Sequence, residues 1–304
     1  MTESSTIAAA PTSAPTRAPT PPQVRFSELS GRPRHCPVCR RSGVTHVSAY
    51  PSDEPLFRMA TVFYCSSCGA GHVPDADRLL GDYYTADYAA QNRGDREIDP
   101  ETYFTTSPKT LSMKRYFRRA QSQLKALKEV GAQFDRVLDF GSGPGYFLHA
   151  SEAKHRFAVE LDEASTKYLA WLGATRLNQD DLGEEQFDTI LASHVIEHLT
   201  EITLVPTIDR LIAALKIGGY MLIEVPQGGH SYTLLEHRQD PHTLFFTPEG
   251  LLRALERSNA QIVNAFQRAR REVEPHPQPI YVPPDKPFYR HRGGGLTVIL
   301  TRTE

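Results

Sequence analysis

The 304-residue chain has no run approaching the ~18 to 20 apolar residues needed to cross a bilayer. Its first residues lack the basic start and apolar core of a secretory signal. These absences predict a cytoplasmic protein without a membrane partner. Charge of one sign is not in excess either: 34 Lys plus Arg stand against 36 Asp plus Glu, a formal net charge of −2. That balance gives no global electrostatic reason to expect nucleic acid as partner, although local patches stay open. Large apolar residues are almost missing from residues 1–24, rich in Ala, Pro, Thr and Ser, which predicts a disordered tail. A transit peptide there is disfavoured, because only Arg17 is basic and no amphipathic period appears. What remains is enough for a core: 39% of the chain is apolar, and its length suits one large domain or two modest ones.

Cysteine is scarce, with four in all, and none lies outside positions 36–68. Cys36 and Cys39 form one CxxC knuckle, and Cys65 and Cys68, followed by Gly69, form another. Two such knuckles can wrap one tetrahedral ion, the arrangement of a structural zinc ribbon, expected over residues 25–80. The segments "THVSAY" and "RMATVFYC" supply a hairpin that spans the gap between the pairs. The alternatives are two disulfides, which a cytoplasmic chain would not keep, or a redox CxxC, which would not come as a pair. Four protein ligands leave no open position for water, so the zinc is expected to serve folding. Ribbons also bind nucleic acid, so this module leaves the partner undecided.

A Tyr-rich connecting segment, 81–109, precedes "SMKRYFRRAQSQLKALKEVG", where Met113, Phe117, Ala120, Leu124 and Leu127 recur at helical spacing and Gly131 closes the helix. Lys114, Arg115, Arg118 and Arg119 read as its solvated face or, alternatively, as a phosphate or RNA grip. From Arg136 strands alternate with helices: "RVLDF", "RFAVELD", "ATRLNQ", "FDTILASHV" and "YMLIEVPQ" read as strands, and "TLVPTIDRLIAALKIGG" as the helix before the last of them. A helix capped by Thr247 with Pro248 at its first position follows, then the strands "AQIVNAFQRA" and "GGLTVILTRT". Such alternation builds an α/β fold, a seven-stranded doubly wound sheet behind the small zinc-ribbon module.

In that class of sheet a ligand sits beyond the carboxyl ends of the strands, closest to the first strand-to-helix turn. Here the turn is "DFGSGPGYF", with Gly141, Gly143 and Gly145. A dinucleotide fingerprint would need GxGxxG, and Tyr146 stands where its third glycine belongs. Asp139 before the loop would repel a pyrophosphate and suits a cationic ligand instead.

The stretch "VLDFGSGPGYFL" resembles the first motif of the class I S-adenosylmethionine-dependent methyltransferases, a Rossmann-like family, and later segments agree in order and spacing over about residues 110–302, which implies a methyltransferase domain at 110–304. The resemblance implies that Gly141, Gly143 and Gly145 lie under the methionine part of S-adenosylmethionine and that Asp139 helps hold its amino end. It also implies that Glu160 takes the ribose hydroxyls and that Asp180 or Asp181 meets the adenine amino group. A carboxylate's two acceptor oxygens match two vicinal hydroxyls.

His194, Glu197 and His198 are spaced i, i+3, i+4 after the fourth strand of the sheet. They form a general base, a divalent-metal site with His242, or a turn that is merely ordered. The catalytic candidates are therefore His194, His198 and His242. The set looks like that of the small-RNA 3′-end methyltransferases, whose motif has a glutamate where this chain has His194. His230 and His237 lie on the same loop. The Pro-rich insertion 272–295, with Tyr281, Phe288, Tyr289, Arg290, His291 and Arg292, reads as a lid over the acceptor or an idle loop. The module before the catalytic domain resembles sugar C-methyltransferases and certain ribosomal-RNA guanine methyltransferases, and the whole looks like the short methyltransferases of polysaccharide and secondary-metabolite pathways. The expected reaction is methyl transfer to oxygen or carbon of a small molecule; the alternatives are RNA methylation and cofactor binding without turnover.

Overall fold

The structure is a computed structural model and describes residues 35–52, 54–86, 98–105, 111–229, 241–257, 259–267 and 295–304. The tail 1–24, His230, His237 and the aromatic insertion lie outside the described residues.

Strands β1 (Val44–Ala49), β2 (Thr61–Cys65), β3 (Gly71–His72), β4 (Arg136–Phe140), β5 (His155–Val159), β6 (Thr175–Arg176), β7 (Phe187–Ser193), β8 (Leu215–Pro226), β9 (Leu244–Phe245), β10 (Ala260–Gln267) and β11 (Gly295–Arg302) build two sheets. The helices are α1 (Pro55–Arg58), α2 (Ala76–Ala86), α3 (Pro100–Thr105), α4 (Leu111–Glu129), α5 (Tyr146–Ser151), α6 (Thr166–Trp171), α7 (Leu204–Ala214) and α8 (Pro248–Leu255).

The larger sheet has seven strands in the order β10-β11-β8-β7-β4-β5-β6. Its β4, β5, β6, β7 and β8 run parallel, and β11 and β10 close it antiparallel. Both faces are covered because successive side chains of a strand point opposite ways. Leu138, Ile190, Ala192, Met221 and Ile223 join a core with Ile208 and Leu211 of α7 and Leu251 and Leu255 of α8. Their neighbours Val137, Leu191 and Leu222 join a second core with Leu127 of α4, Phe147 of α5 and Leu169 of α6. The apolar runs of these strands thus reflect burial on two sides.

Helix α7 is shorter than its sequence suggests. It ends at Ala214, and Leu215 turns extended to pair with Phe187. Gly218, at φ +77°, and Gly219, where an added Cβ would meet the Lys216 carbonyl at 2.9 Å, favour a strand-side turn over another helical turn. The Thr247 cap is formed as expected, its hydroxyl accepting from Gly250 N at 3.0 Å.

The smaller sheet has the order β1-β2-β3-β9. The expected hairpin is β1–β2, with α1 inserted at its tip. Strand β9 comes from far along the chain, Gly71 pairing with Phe245 and His72 with Leu244. The cysteine-bearing segment is therefore stitched to the stretch between β8 and α8. Thr247 donates to the Cys68 carbonyl at 2.5 Å, Val73 N to the Thr243 carbonyl at 2.8 Å, and Tyr50 Oη to the His242 carbonyl at 2.8 Å.

Candidate active site

Strand β4 delivers Asp139 and then breaks into the glycine turn. Gly141, Gly143 and Gly145 have φ of +73°, +52° and +90°, a region that other L-residues adopt only with strain. A Cβ at Gly141 would collide with Val195, and one at Gly145 would meet Leu172 at 2.8 Å. At Gly143 nothing lies within 4 Å, so that glycine leaves its backbone bare toward open space. Gly143 N donates to Glu160 Oε2 at 2.6 Å, and Asp162 N to Glu160 Oε1 at 2.8 Å, so the acid at the end of β5 and the glycine loop hold each other.

Asp139 is 3% exposed. Burial first, and the neighbouring Glu160 charge second, push its carboxyl up to about 8. A cation placed there would relieve both effects. Of the two further candidates, Asp180 is 87% exposed and pairs with Arg210 at 2.6 Å, whereas Asp181 accepts from Asn178 at 2.9 Å. Around the glycine turn Tyr146 is boxed by aromatics. Tyr103 shares a hydroxyl hydrogen bond with it, Tyr116 stacks on it at 5.4 Å, and Phe117 meets it edge-on at 4.9 Å.

Beyond β7 the chain kinks at His194, φ +57°, and winds into a single 3₁₀ turn, Ile196–His198. The expected set is brought together. His194 Nδ1 lies 3.4 Å from Glu197 Oε1, His198 Nε2 lies 4.0 Å from the same oxygen, and the His198 and His242 rings are 5.0 Å apart. Burial would pull His194 down, but the carboxylates of Glu197 and Glu224 outweigh it and leave its pKa raised. Burial would raise Glu197, and the surrounding imidazoles, His194 foremost, hold it low instead. His198 is lowered by burial, with Glu197 opposing.

Glu224, on β8, has no place in the sequence reading. Its carboxylate accepts from Gln123 Nε2 at 3.2 Å and Thr297 Oγ1 at 3.4 Å, with Arg119 Nε at 3.5 Å and His194 Nε2 at 3.7 Å. Gln123 also donates to Ser193 at 2.8 Å. Arg119 thus turns inward from the basic cluster, while Arg115 and Arg118 stay exposed as a solvated face. The only sequence signals were an acid in an apolar strand and a glutamine on the apolar side of a helix.

The four cysteines are free thiols. Their sulfurs all lie within 4.8 Å of one another, with Cys36–Cys68 at 3.9 Å and Cys39–Cys65 at 3.6 Å. The hydrogen bond with Cys68 pulls the Cys36 thiol down to about 5, and the same bond pushes Cys68 up.

A protein-family model described as a methyltransferase domain matches residues 113–265. The chain belongs to that family. It is an S-adenosylmethionine-dependent methyltransferase. No curated protein matches it. Among solved structures, this methyltransferase is similar to the N-methyltransferase NodS from Bradyrhizobium japonicum WM9 in complex with S-adenosyl-L-homocysteine, at 13% identity over 69% of this chain and 95% of that one, TM-score 0.46. It is also similar to the 1,6-didemethyltoxoflavin-N1-methyltransferase of Burkholderia thailandensis, at 17% identity over 84% of this chain and 100% of that one, TM-score 0.48. A third likeness is to a methyltransferase from Archaeoglobus fulgidus, at 19% identity over 67% of this chain and 97% of that one, TM-score 0.47. Among the described residues, no helix is long and apolar enough to cross a membrane.

Proposed function

We propose that this methyltransferase acts on an oxygen or carbon of a small molecule, such as a sugar, a polysaccharide precursor or a secondary metabolite. The observation that carries the reading is His194, 28% exposed at the mouth of the turn and flanked by two buried carboxylates, Glu197 and Glu224. The adjacent Val195 packs on Gly141, so this imidazole stands next to the cofactor loop.

The residues around that loop fit S-adenosylmethionine. Asp139, buried and pushed up, gains from a cationic amino group; Gly143 leaves room for close approach; Glu160 offers a carboxylate to a diol. Asp180 and Asp181, on the turn after β6, are kept as the adenine-side acids. When bound, the cofactor supplies a methyl group on a cationic sulfur, ready for in-line attack. The protein then has to align the acceptor and exclude water. A hydroxyl acceptor must also lose its proton; His194, whose two nitrogens face Glu197 and Glu224, takes it only on turning one nitrogen toward the acceptor, with His198 and His242 behind it.

The four cysteines are proposed to hold a structural zinc. A tetrahedron of ~2.3 Å Zn–S bonds has edges of about 3.8 Å, which supports this reading of sulfurs 3.9 and 3.6 Å apart. The RNA alternative rests on the same module, and a net charge of −2 weighs against it.

The test is calorimetric titration with S-adenosylhomocysteine of the wild type and of Glu160→Ala. Losing two charge-assisted hydrogen bonds should weaken binding by tenfold or more, at about 1.5–3 kcal/mol each. Equal affinity in the two proteins would sink the assignment of Glu160.

A further inference from the structure

Helix α8 lies on the cysteine knuckles, and one of its side chains points a buried charged donor at nothing. An added Cβ at Gly250, in the first turn of the helix, would meet Ala70 Cβ at 2.9 Å and Val38 Cγ1 at 3.4 Å. Val38 stands between Cys36 and Cys39, and Ala70 comes two residues after Cys68. Thr247, the cap of the same helix, donates to the Cys68 carbonyl. Leu251, Ala254 and Leu255 share one core with Cys36, Cys65 and Cys68. Arg253 follows Gly250 by three residues, so it stands on the helix face that covers both knuckles.

The guanidinium of Arg253 is held at one end only. Its Nε donates to Glu249 Oε1 at 2.5 Å, one turn back, while its Nη1 is buried without a hydrogen-bond partner. A charged donor left in that state is costly unless an acceptor answers it. Burial pulls this guanidinium down, but Glu249, and after it Cys39 and Cys68, push it above its ordinary value. The sulfurs of those two cysteines are thus anions that Arg253 feels beyond Glu249.

The sulfurs have the complementary need. Four thiolates around one Zn²⁺ leave two negative charges uncancelled. Cys36, Cys65 and Cys68 are at most 5% exposed, so that charge is taken out of water. Ser67 N donates to Cys65 Sγ at 3.3 Å, a neutral donor that spreads the charge without cancelling it. Arg40 and Arg41, beside the first knuckle, are exposed.

We propose that Arg253 is the counter-cation of the zinc–cysteine site, its Nη1 donating to the sulfur of Cys39 or Cys68. The inference rests on the zinc reading above. A cation and an N–H···S bond both withdraw electron density from a thiolate, so the sulfur becomes a weaker nucleophile and the metal is held more firmly. The helix that follows the His242 stretch thereby completes the metal site of the segment ahead of the catalytic domain. Glu249 fixes the fork of Arg253 from one side and leaves the other side for sulfur, a double reach that lysine lacks.

The experiment uses the full chain, loaded with zinc, as wild type, Arg253→Gln, Arg253→Lys, Glu249→Gln and Arg41→Gln. Competition with a chromophoric chelator reads zinc affinity, and iodoacetamide followed by mass spectrometry reads how fast each cysteine is alkylated. Arg253→Gln should bind zinc about 10- to 100-fold more weakly, the range for loss of an outer-shell partner, and Cys39 or Cys68 should be alkylated faster. Arg253→Lys, which keeps the charge, should fall between Arg253→Gln and wild type; if Arg253→Gln does not fold, faster alkylation in folded Arg253→Lys carries the test. Glu249→Gln breaks the same helical ion pair from its other end, and Arg41→Gln removes an exposed cation; both should hold zinc within about twofold of wild type. The proposal is overturned if folded Arg253→Gln matches wild type in affinity and alkylation, or if Glu249→Gln loses as much as Arg253→Gln, which would mean that Arg253 only steadies its helix. The zinc content of the wild type keeps the two readings apart. A folded wild type that takes up no zinc sinks the zinc reading and this inference with it, whereas a zinc-loaded wild type with an indifferent Arg253→Gln sinks this inference alone.

Discussion

At the scale of single residues, Asp139 makes the sharpest demand. Its carboxyl is held up to about 8 by burial and by Glu160. The folded chain therefore keeps a proton that the unfolded chain releases in the ordinary carboxylate range. The stabilising effect is full below that range and is lost as pH rises through about 8. The cofactor-free protein should lose melting temperature between about pH 5 and 8 relative to Asp139→Asn. S-adenosylhomocysteine, with its amino group, should restore more stability at pH 8 than at pH 6. Melting curves of both proteins across that range, with and without ligand, decide it: parallel profiles would mean that Asp139 is not the proton holder. The role proposed for Asp139 rests on one juxtaposition that the sequence displays, an acid immediately before a glycine turn, a pairing that a cationic ligand makes favourable.

At the scale of elements, helix α4 and strands β7, β8 and β11 meet through one carboxylate. Glu224→Ala would strand Arg119 and Gln123 opposite a void and should cost about 3 kcal/mol, whereas Glu224→Gln should cost about 1 kcal/mol. Denaturant unfolding of the two variants checks the order, and equal losses would count against the network. None of this junction was readable from periodicity. The strands of the large sheet were, because burial on both faces leaves an apolar run, and the Thr247 cap was, because its signal is local. Glu224 gives no hint of its partners, which come from 101 residues upstream at Gln123 and 73 downstream at Thr297. Strands of two residues such as β3 and β9 have no pattern at all, so the stitching of the cysteine segment to the His242 stretch could not be foreseen. That stitching carries its own prediction. If the four cysteines hold the proposed zinc, Cys68→Ser or chelation should lower the melting temperature by on the order of 10 °C, as expected for a loss of ~4 kcal/mol in a domain of this size. Thermal denaturation of wild type and variant, with zinc content measured alongside, would settle it; an unchanged melting temperature after full loss of zinc would remove the folding role.

At the scale of the whole molecule, the near balance of 34 basic and 36 acidic residues decides what kind of acceptor can be attracted from a distance. An RNA-binding enzyme that neutralised several phosphates would lose affinity steeply with salt. For this protein we expect weak binding of a single-stranded RNA that vanishes between about 50 and 200 mM salt, with cofactor affinity unchanged over the same interval. Tight RNA binding surviving at 200 mM would favour the RNA reading. The strand pairing that completes the small sheet also bears on how the chain is made. Cys68 is synthesised 179 residues before Thr247, whose hydroxyl, just past β9, donates to the Cys68 carbonyl. At ~5–20 residues per second the ribosome needs on the order of 10 to 40 s to cover that distance. For that interval the β3 edge at Gly71–His72 stands open on a nascent chain, so the cysteine segment emerges first yet is finished among the last, and a fragment ending before Leu244 would carry that edge permanently.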